Sequence, residues 1–388
     1  MIPLFRSFVI GIVASLLCLF TATNSLASHL VGAEMYYTRT SGYNYKVTVV
    51  LYGDCGPASL GAFGTLATAT PKVCVYNGET AFTTLTLSIE PPFAGVEITP
   101  VCPADSARTQ CTNTSYAIPG IKKFVYSTNV TLSGPSSVWR FVFNGDYTAS
   151  TAGRAVSITN LSSAGVTSIQ LIDTLNNLSF PGNSNAILTT IPTPFFCLNQ
   201  MNSYNPGAVD ADGDRLEFSL VSAVAGSNNC SVSGSPVAYT GTAWPGQPIS
   251  PSKPLQCLPA SYTFDTSTGQ LGFNPNFAQR SVVVYNVREY RGGIMVGSSQ
   301  REMTFYVRPC TNVPPSGIFD STSAGIVVDT TTFRVCAGSG VVRAYINPTD
   351  LEADTINVTV SGLPPGAVFN TTNNNTLSPH SVFMWNTT

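Results

Sequence analysis

The chain has 388 residues, 43% of them hydrophobic and only 10% charged, against about 25% charged in an average soluble domain. Its 18 Lys plus Arg against 20 Asp plus Glu give a formal net charge of −2, which excludes the clustered basic surface that nucleic-acid binding needs. The two histidines, His29 and His380, leave almost nothing from which to build a His-centred triad or a multi-His metal site. The 32 Gly and 27 Pro, with abundant Ser, Thr and Asn, point to many short strands joined by turns rather than to long helices.

Residues 1–27 read as a secretory signal. Arg6 and the amino terminus supply positive charge, Phe8 to Phe20 is an apolar run of 13 residues, and Ser25-Leu26-Ala27 is a small-x-small cleavage signature. A membrane span needs about 20 apolar residues, so the run is too short to anchor the chain. Cleavage is expected before Ser28, giving a secreted or cell-surface protein with no membrane span in the mature chain.

From Ser28 onward the apolar pattern has period two. Tyr45, Val47, Val49 and Leu51 form one face of a strand, with Ser41-Gly42-Tyr43-Asn44 as the turn before it. Further strands are predicted over Trp139–Phe143, Ala155–Thr159, Ser168–Ile172, Ser281–Tyr290 and Met303–Val307, with a turn at Arg291-Gly292-Gly293. No window of helical length shows a 3.6-residue period. The predicted class is all-β, built of tandem β-sandwich modules.

The chain also repeats itself. Phe196-Cys197 is followed by Asp210-Ala-Asp212-Gly-Asp214 and the strand Arg215–Leu220; Val335-Cys336 is followed by Asp350-Leu-Glu352-Ala-Asp354 and Thr355–Val360. Pro259 then precedes Phe264 and Phe273-Asn274, as Pro364-Pro365 precedes Phe369 and Trp385-Asn386. Four echoes in one order mark two copies of one module. The expected organisation is a signal peptide (1–27), an N-terminal β-sandwich region (28–193), a first module (194–310), a Pro-rich linker (311–317) and a second, truncated copy (318–388). The second copy lacks the two strands that close the first, so the chain is expected to be a piece of a longer protein.

Nine cysteines follow the signal, and an exported chain favours disulfides. No C-x-x-C pair or His cluster supports zinc. The repeat suggests Cys197 with Cys310 and leaves Cys336 unpaired. Proximity in sequence suggests Cys55 with Cys74, Cys102 with Cys111, and Cys230 with Cys257, although spacing alone cannot decide connectivity.

Several segments together resemble large exported surface proteins of gliding Gram-negative bacteria. They are Ser28-His-Leu-Val-Gly-Ala-Glu34, Leu51-Tyr-Gly-Asp-Cys55, Pro194-Phe-Phe-Cys197, Gly207-Ala-Val-Asp-Ala-Asp-Gly-Asp214 and Val287-Arg-Glu-Tyr-Arg-Gly-Gly293. The resemblance covers about Ser28 to Cys310. It implies a multidomain surface protein with Ig-like, cadherin-like or PKD-like repeats, of the kind tied to gliding motility and type IX secretion. It supplies no catalytic residue. The C-terminal secretion domain of such proteins has no counterpart here.

Asp210, Asp212 and Asp214 are the main chemical feature. Three alternating carboxylates with a Gly between them offer hard oxygen ligands suited to calcium. The loop is not an EF-hand, since Gly213 falls at loop position 4 and Val221 at position 12. The other reading is a turn in which Asp caps backbone amides. The cadherin-like resemblance would add Glu289 to the site. Asp350, Glu352 and Asp354 offer the same set without the Gly. His29 reads as a polar residue leading a strand. Tyr36, Tyr37, Tyr43 and Tyr45 read as cross-strand packing, with a sugar-stacking platform as the alternative. The sequons at Asn129 and Asn160 carry weight only in a eukaryotic secretory path.

The resulting expectation is a non-enzymatic extracellular or cell-surface protein serving adhesion or surface structure, its partner an extracellular protein or glycan. The alternative is a set of accessory binding modules of a secreted enzyme whose catalytic domain lies beyond Thr388.

Overall fold

The computed structural model describes residues 27–56, 66–101, 103–147, 150–192, 195–226, 230, 233–310, 315–317, 319–322, 326–327, 333–336, 338–360 and 362–388. The expected signal peptide, apart from Ala27, lies outside them, as does Cys102. No helix among the described residues is long and apolar enough to cross a membrane. The chain divides into two units, Met1–Arg308 and Pro309–Thr388.

The main strands of the first unit are β1 (Ala27–Ser41), β2 (Asn44–Asp54), β3 (Pro71–Asn77), β4 (Thr80–Thr86), β5 (Ile121–Thr131), β6 (Trp139–Tyr147), β7 (Ser150–Arg154), β8 (Leu171–Leu175), β9 (Phe195–Cys197), β10 (Asn202–Tyr204), β11 (Arg215–Leu220), β12 (Thr263–Phe264), β13 (Leu271–Phe273), β14 (Gln279–Arg291) and β15 (Ile294–Arg308). One large sheet runs β11-β14-β15-β8-β6-β7-β1-β2-β5, with β3 joined through β6, β4 through β3 and β9 through β15. The strand expected over Ala155–Thr159 is a loop. Ala155 and Ile158 are buried three residues apart while Val156 is 63% exposed, a spacing no flat strand provides.

β15 organises this unit. One edge pairs with β14 from Gln279↔Val307 to Arg291↔Ile294. Its other edge takes β8 at Thr174↔Ser298, β1 at Glu34↔Arg301 and β9 at Phe196↔Val307. The boundary expected between residues 193 and 194 is therefore not a structural one. Strands from both sides of it share ladders with β15, and the unit ends instead at Arg308, just before the Pro-rich stretch.

Both faces of this central region are covered. Val283, Tyr285, Val287, Met303 and Phe305 enter one apolar core with Phe196, Phe218 and Phe273. The alternate residues Val282, Val284 and Tyr306 enter another with Val31, Val50 and Tyr52. A strand covered twice has no polar face, which is why Ser281–Val287 is buried throughout. A third core gathers Met35, Tyr37, Tyr45, Phe141, Leu171 and the fully buried Trp139. Tyr37 and Tyr45 meet edge to face at 5.8 Å and are fully buried, so they are packing residues and no sugar platform.

Two ion pairs are buried at consecutive positions of β15. Arg301 Nε bonds Glu34 Oε2 at 2.5 Å, and its other nitrogens donate to the carbonyls of Thr190 and Leu188. Glu302 receives Arg154 Nε at 2.6 Å and Nη2 at 2.8 Å, while Arg154 also donates to the carbonyls of Ser168 and Val224. Arg154, Arg301 and Glu302 are each at most 1% exposed. Desolvated charges of this kind persist only when every donor is used.

The disulfides depart from the pairing by proximity. Cys55 bonds Cys111, and Cys74 bonds Cys230, 156 residues away. Cys74 points to the face of β3 that carries Tyr76, and the Tyr76 hydroxyl donates to the Cys230 carbonyl. Cys55 ends beside Gly120, whose neighbourhood holds Cys111. Cys197 and Cys310 are also disulfide-bonded. Cys257 is a free thiol buried in the core rather than a partner of Cys230, and Cys336 is free and exposed. Asn160, the centre of one sequon, is 1% exposed and bonds the backbone of Pro254 and Val282.

The second unit has a sheet of four strands, β16 (Phe319–Thr322), β17 (Val341–Ile346), β18 (Val368–Thr372) and β19 (His380–Asn386), in the order β16-β17-β19-β18. The echoed residues occupy matching ladder positions. Thr263↔Gly272 joins β12 to β13, and Val368↔Met384 joins β18 to β19; each pair stands one residue before the echoed Phe and one before the echoed aromatic-Asn. β10 then pairs with β13 as β17 pairs with β19.

Two outcomes are expected. Arg154→Met, which leaves Glu302 buried without its partner, should cost about 3–5 kcal/mol in denaturant unfolding, and adding Glu302→Leu should recover much of it. A thiol reagent under native conditions should modify Cys336 fast and Cys257 only on unfolding, with Cys336→Ser removing one fast-reacting thiol.

Candidate functional site

The acidic turn lies between the short strand Ala208–Val209 and β11. Asp210 Oδ1 accepts the N–H groups of Asp212 and Asp214, both at 2.9 Å. Gly213 makes this possible, because its φ of +77° lies in the left-handed region that residues with a Cβ avoid. The turn aims Asp214 at β14, where both its oxygens take the Arg291 guanidinium, Nε at 2.6 Å and Nη2 at 2.9 Å. Asp212 Oδ2 instead accepts the Ser184 N–H at 2.7 Å and stands 3.7 Å from Arg291 Nη2.

Glu289, two residues before Arg291 on β14, is fully buried. Its Oε1 accepts the Ala186 N–H at 2.8 Å and Asn185 Nδ2 at 3.2 Å, and its Oε2 accepts Asn183 Nδ2 at 2.6 Å. Gly297 sits opposite in the ladder, and a Cβ there would lie 2.2 Å from Glu289 Oε2 and 2.7 Å from the Tyr37 hydroxyl. The missing side chain is the space this polar cluster occupies. Burial pushes Glu289 up to about 7 against the pull of its three donors, with Asp210 adding to the rise. Burial also raises Asp210, with Asp214 and Asp212 beside it, while the bond to Asp214 raises Arg291.

Of the four carboxylates expected in the first site, the structure brings together three. Single oxygens of Asp210, Asp214 and Glu289 lie within 4.8 Å of one another. These are hard donors, and Asp210 Oδ2 is buried without a hydrogen-bond partner, so the set fits a cation such as calcium. Arg291 already supplies one positive charge there. Arg291 lies within the Val287–Gly293 motif, but nothing in that motif marks it as the counter-charge to Asp214. Asn183 and Asn185 carry no marker at all in sequence; both are buried under β14 only because the 181–186 loop passes there.

The second copy keeps the backbone of the turn. Asp350 Oδ1 accepts the N–H groups of Glu352 and Asp354, both at 3.0 Å, and Ala353 holds φ +59° where the first copy has Gly213. Glu352 and Asp354 are exposed, and among the described residues no buried carboxylate joins them. His380 Nδ1 lies 2.8 Å from Asn347 Oδ1 on the exposed surface of the second unit.

No family model matches the chain, and no curated protein matches it in sequence. Among solved structures, a mutated segment of titin with three immunoglobulin domains aligns over 92% of this chain and 89% of its own, at 8% identity. The TM-score is 0.16, so the alignment carries no argument about fold or function. The all-β class rests on the ladders described above.

The two turns should respond in opposite directions to the same exchange. Gly213→Ala should destabilise the first unit by about 1 kcal/mol, since the added Cβ has open space and only the backbone conformation suffers. Ala353→Gly should stabilise the second by a similar amount. Denaturant unfolding of each variant checks both.

Proposed function

We propose that this chain is a non-enzymatic, exported β-protein whose modules space or present surfaces outside the cell, in adhesion or surface structure. The observation that carries this reading is cross-linking. Cys74 and Cys230 join segments 156 residues apart, and Cys55 and Cys111 fasten a second pair of segments. Such bonds form and persist in oxidising surroundings, where the signal-like first residues would deliver the chain. The motif resemblance to surface proteins of gliding bacteria supports the same reading. The buried charged groups also suit a scaffold, because Glu34, Arg154, Arg301 and Glu302 are consumed by one another and by backbone carbonyls. N-terminal sequencing of the mature protein should begin at or near Ser28; a start at Met1 in a membrane fraction would overturn the export reading.

Within this reading, calcium is assigned to Asp210, Asp214 and Glu289, where it would hold the turn against the end of β14. The buried Asp210 Oδ2 without a partner favours it. Calcium at about 100 times its Kd should add about 2.7 kcal/mol to unfolding stability, and Asp210→Asn should abolish that gain. An identical melting temperature in millimolar calcium and in chelator would leave only the capped turn.

A further inference from the structure

Asp173 sits in the middle of β8, flanked by Leu171 and Leu175, and all three are fully buried. Its ladder neighbour is Phe141 on β6, and Leu171, Leu175 and Phe141 belong to one apolar core. Asp173 Oδ1 receives a single hydrogen bond, the Gln300 N–H of β15 at 3.1 Å. Its Oδ2 is buried with no partner.

A carboxylate is stable in a dry interior when a cation or several N–H donors hold it. Asp173 has one neutral donor. Glu289, also buried, has three donors from Ala186, Asn183 and Asn185. The ionisable groups facing Asp173 are acidic or phenolic: Glu34 and Tyr37 from β1 and Glu289 from β14. Arg140 of β6 is drawn to Glu79, and Arg301 of β15 is bound to Glu34.

From this geometry we infer that Asp173 carries its proton in the native protein at neutral pH and acts as an acid-favouring latch on the β8–β15 seam. The seam is short: two ladder pairs, the Asn176 N–H to the Val296 carbonyl at 2.8 Å, the Thr174 and Ser298 hydroxyls at 2.7 Å, the Gln300 N–H to Asp173, and the Ile172 N–H to Gln300 Oε1 at 3.0 Å. Ionising Asp173 would place an uncompensated charge where β15 meets the N-terminal strands. Burial raises its affinity for the proton, and Glu289 and Glu34 raise it further.

The sign follows from which state holds the proton. Below the ordinary range of an aspartate both folded and unfolded chains are protonated, and Asp173 contributes no pH dependence. Above it the unfolded chain releases the proton while the native chain keeps it, so stability falls as pH rises until the native group titrates. The shift read is about tenfold in the unfolding constant for each pH unit in that window.

The test is denaturant unfolding of the full chain from pH 4 to 8, wild type against Asp173→Asn. The ratio of their unfolding constants should grow with pH, because Asn cannot ionise; parallel curves would overturn the proposal. The second measurement needs no Asp173 variant. In protein with 13C-labelled aspartate carboxyls, one resonance should stay at the protonated position at pH 7, in the wild type and in Asp210→Asn alike. No such resonance, or one lost in Asp210→Asn, would also overturn it.

Discussion

The first unit depends on two desolvated ion pairs set at adjacent residues of one strand. Consecutive side chains leave a strand on opposite faces, so Arg301 and Glu302 fasten different parts of the structure to β15. Arg301 reaches Glu34 and the carbonyls of Leu188 and Thr190; Glu302 reaches Arg154, which holds the carbonyls of Ser168 and Val224. Each guanidinium thereby ties backbone carbonyls of segments outside the large sheet to β15. Hydrophobic burial would tolerate a shifted β15, since one Val or Phe contact resembles another. A charge pair in a dry interior does not, because a one-residue slip moves each charge to the other face and leaves it unpaired.

The same economy of charge appears at the acidic turn. Three carboxyl groups converge in a region poor in solvent, and the protein answers them with one guanidinium, three N–H donors on Glu289 and two on Asp210. One oxygen, Asp210 Oδ2, remains without a partner. A site whose own donors hold every carboxyl oxygen but one leaves one place where a cation would gain.

The two copies of the module show which features of a turn are backbone and which are side chain. Asp at the first position caps two N–H groups in both, and the fourth residue is left-handed in both, although one is Gly213 and the other Ala353. The capping bonds therefore hold the turn even where the residue type opposes it. The buried carboxylate and the arginine come from a different strand, and among the described residues they accompany the first copy.

Local features were legible in the sequence. Strand alternation at Tyr45–Leu51, the turn before it, the hairpin at Arg291–Gly293 and the echo of Phe264 and Phe273 in Phe369 and Trp385 depend on neighbours a few residues away, and the ladders place them accordingly. The alternation of Asp210, Asp212 and Asp214 likewise marked a turn that gathers oxygens. Tertiary structure alone decided the rest. Cys74 meets Cys230 because a segment distant in sequence docks on β3, Arg291 meets Asp214 because β11 pairs with β14, and strands from both sides of the expected boundary form one unit because β15 accepts β8, β1 and β9 along a single edge. Backbone hydrogen bonds are the same for every residue type, so a sequence announces that a strand will pair and stays silent about which strand it will pair with.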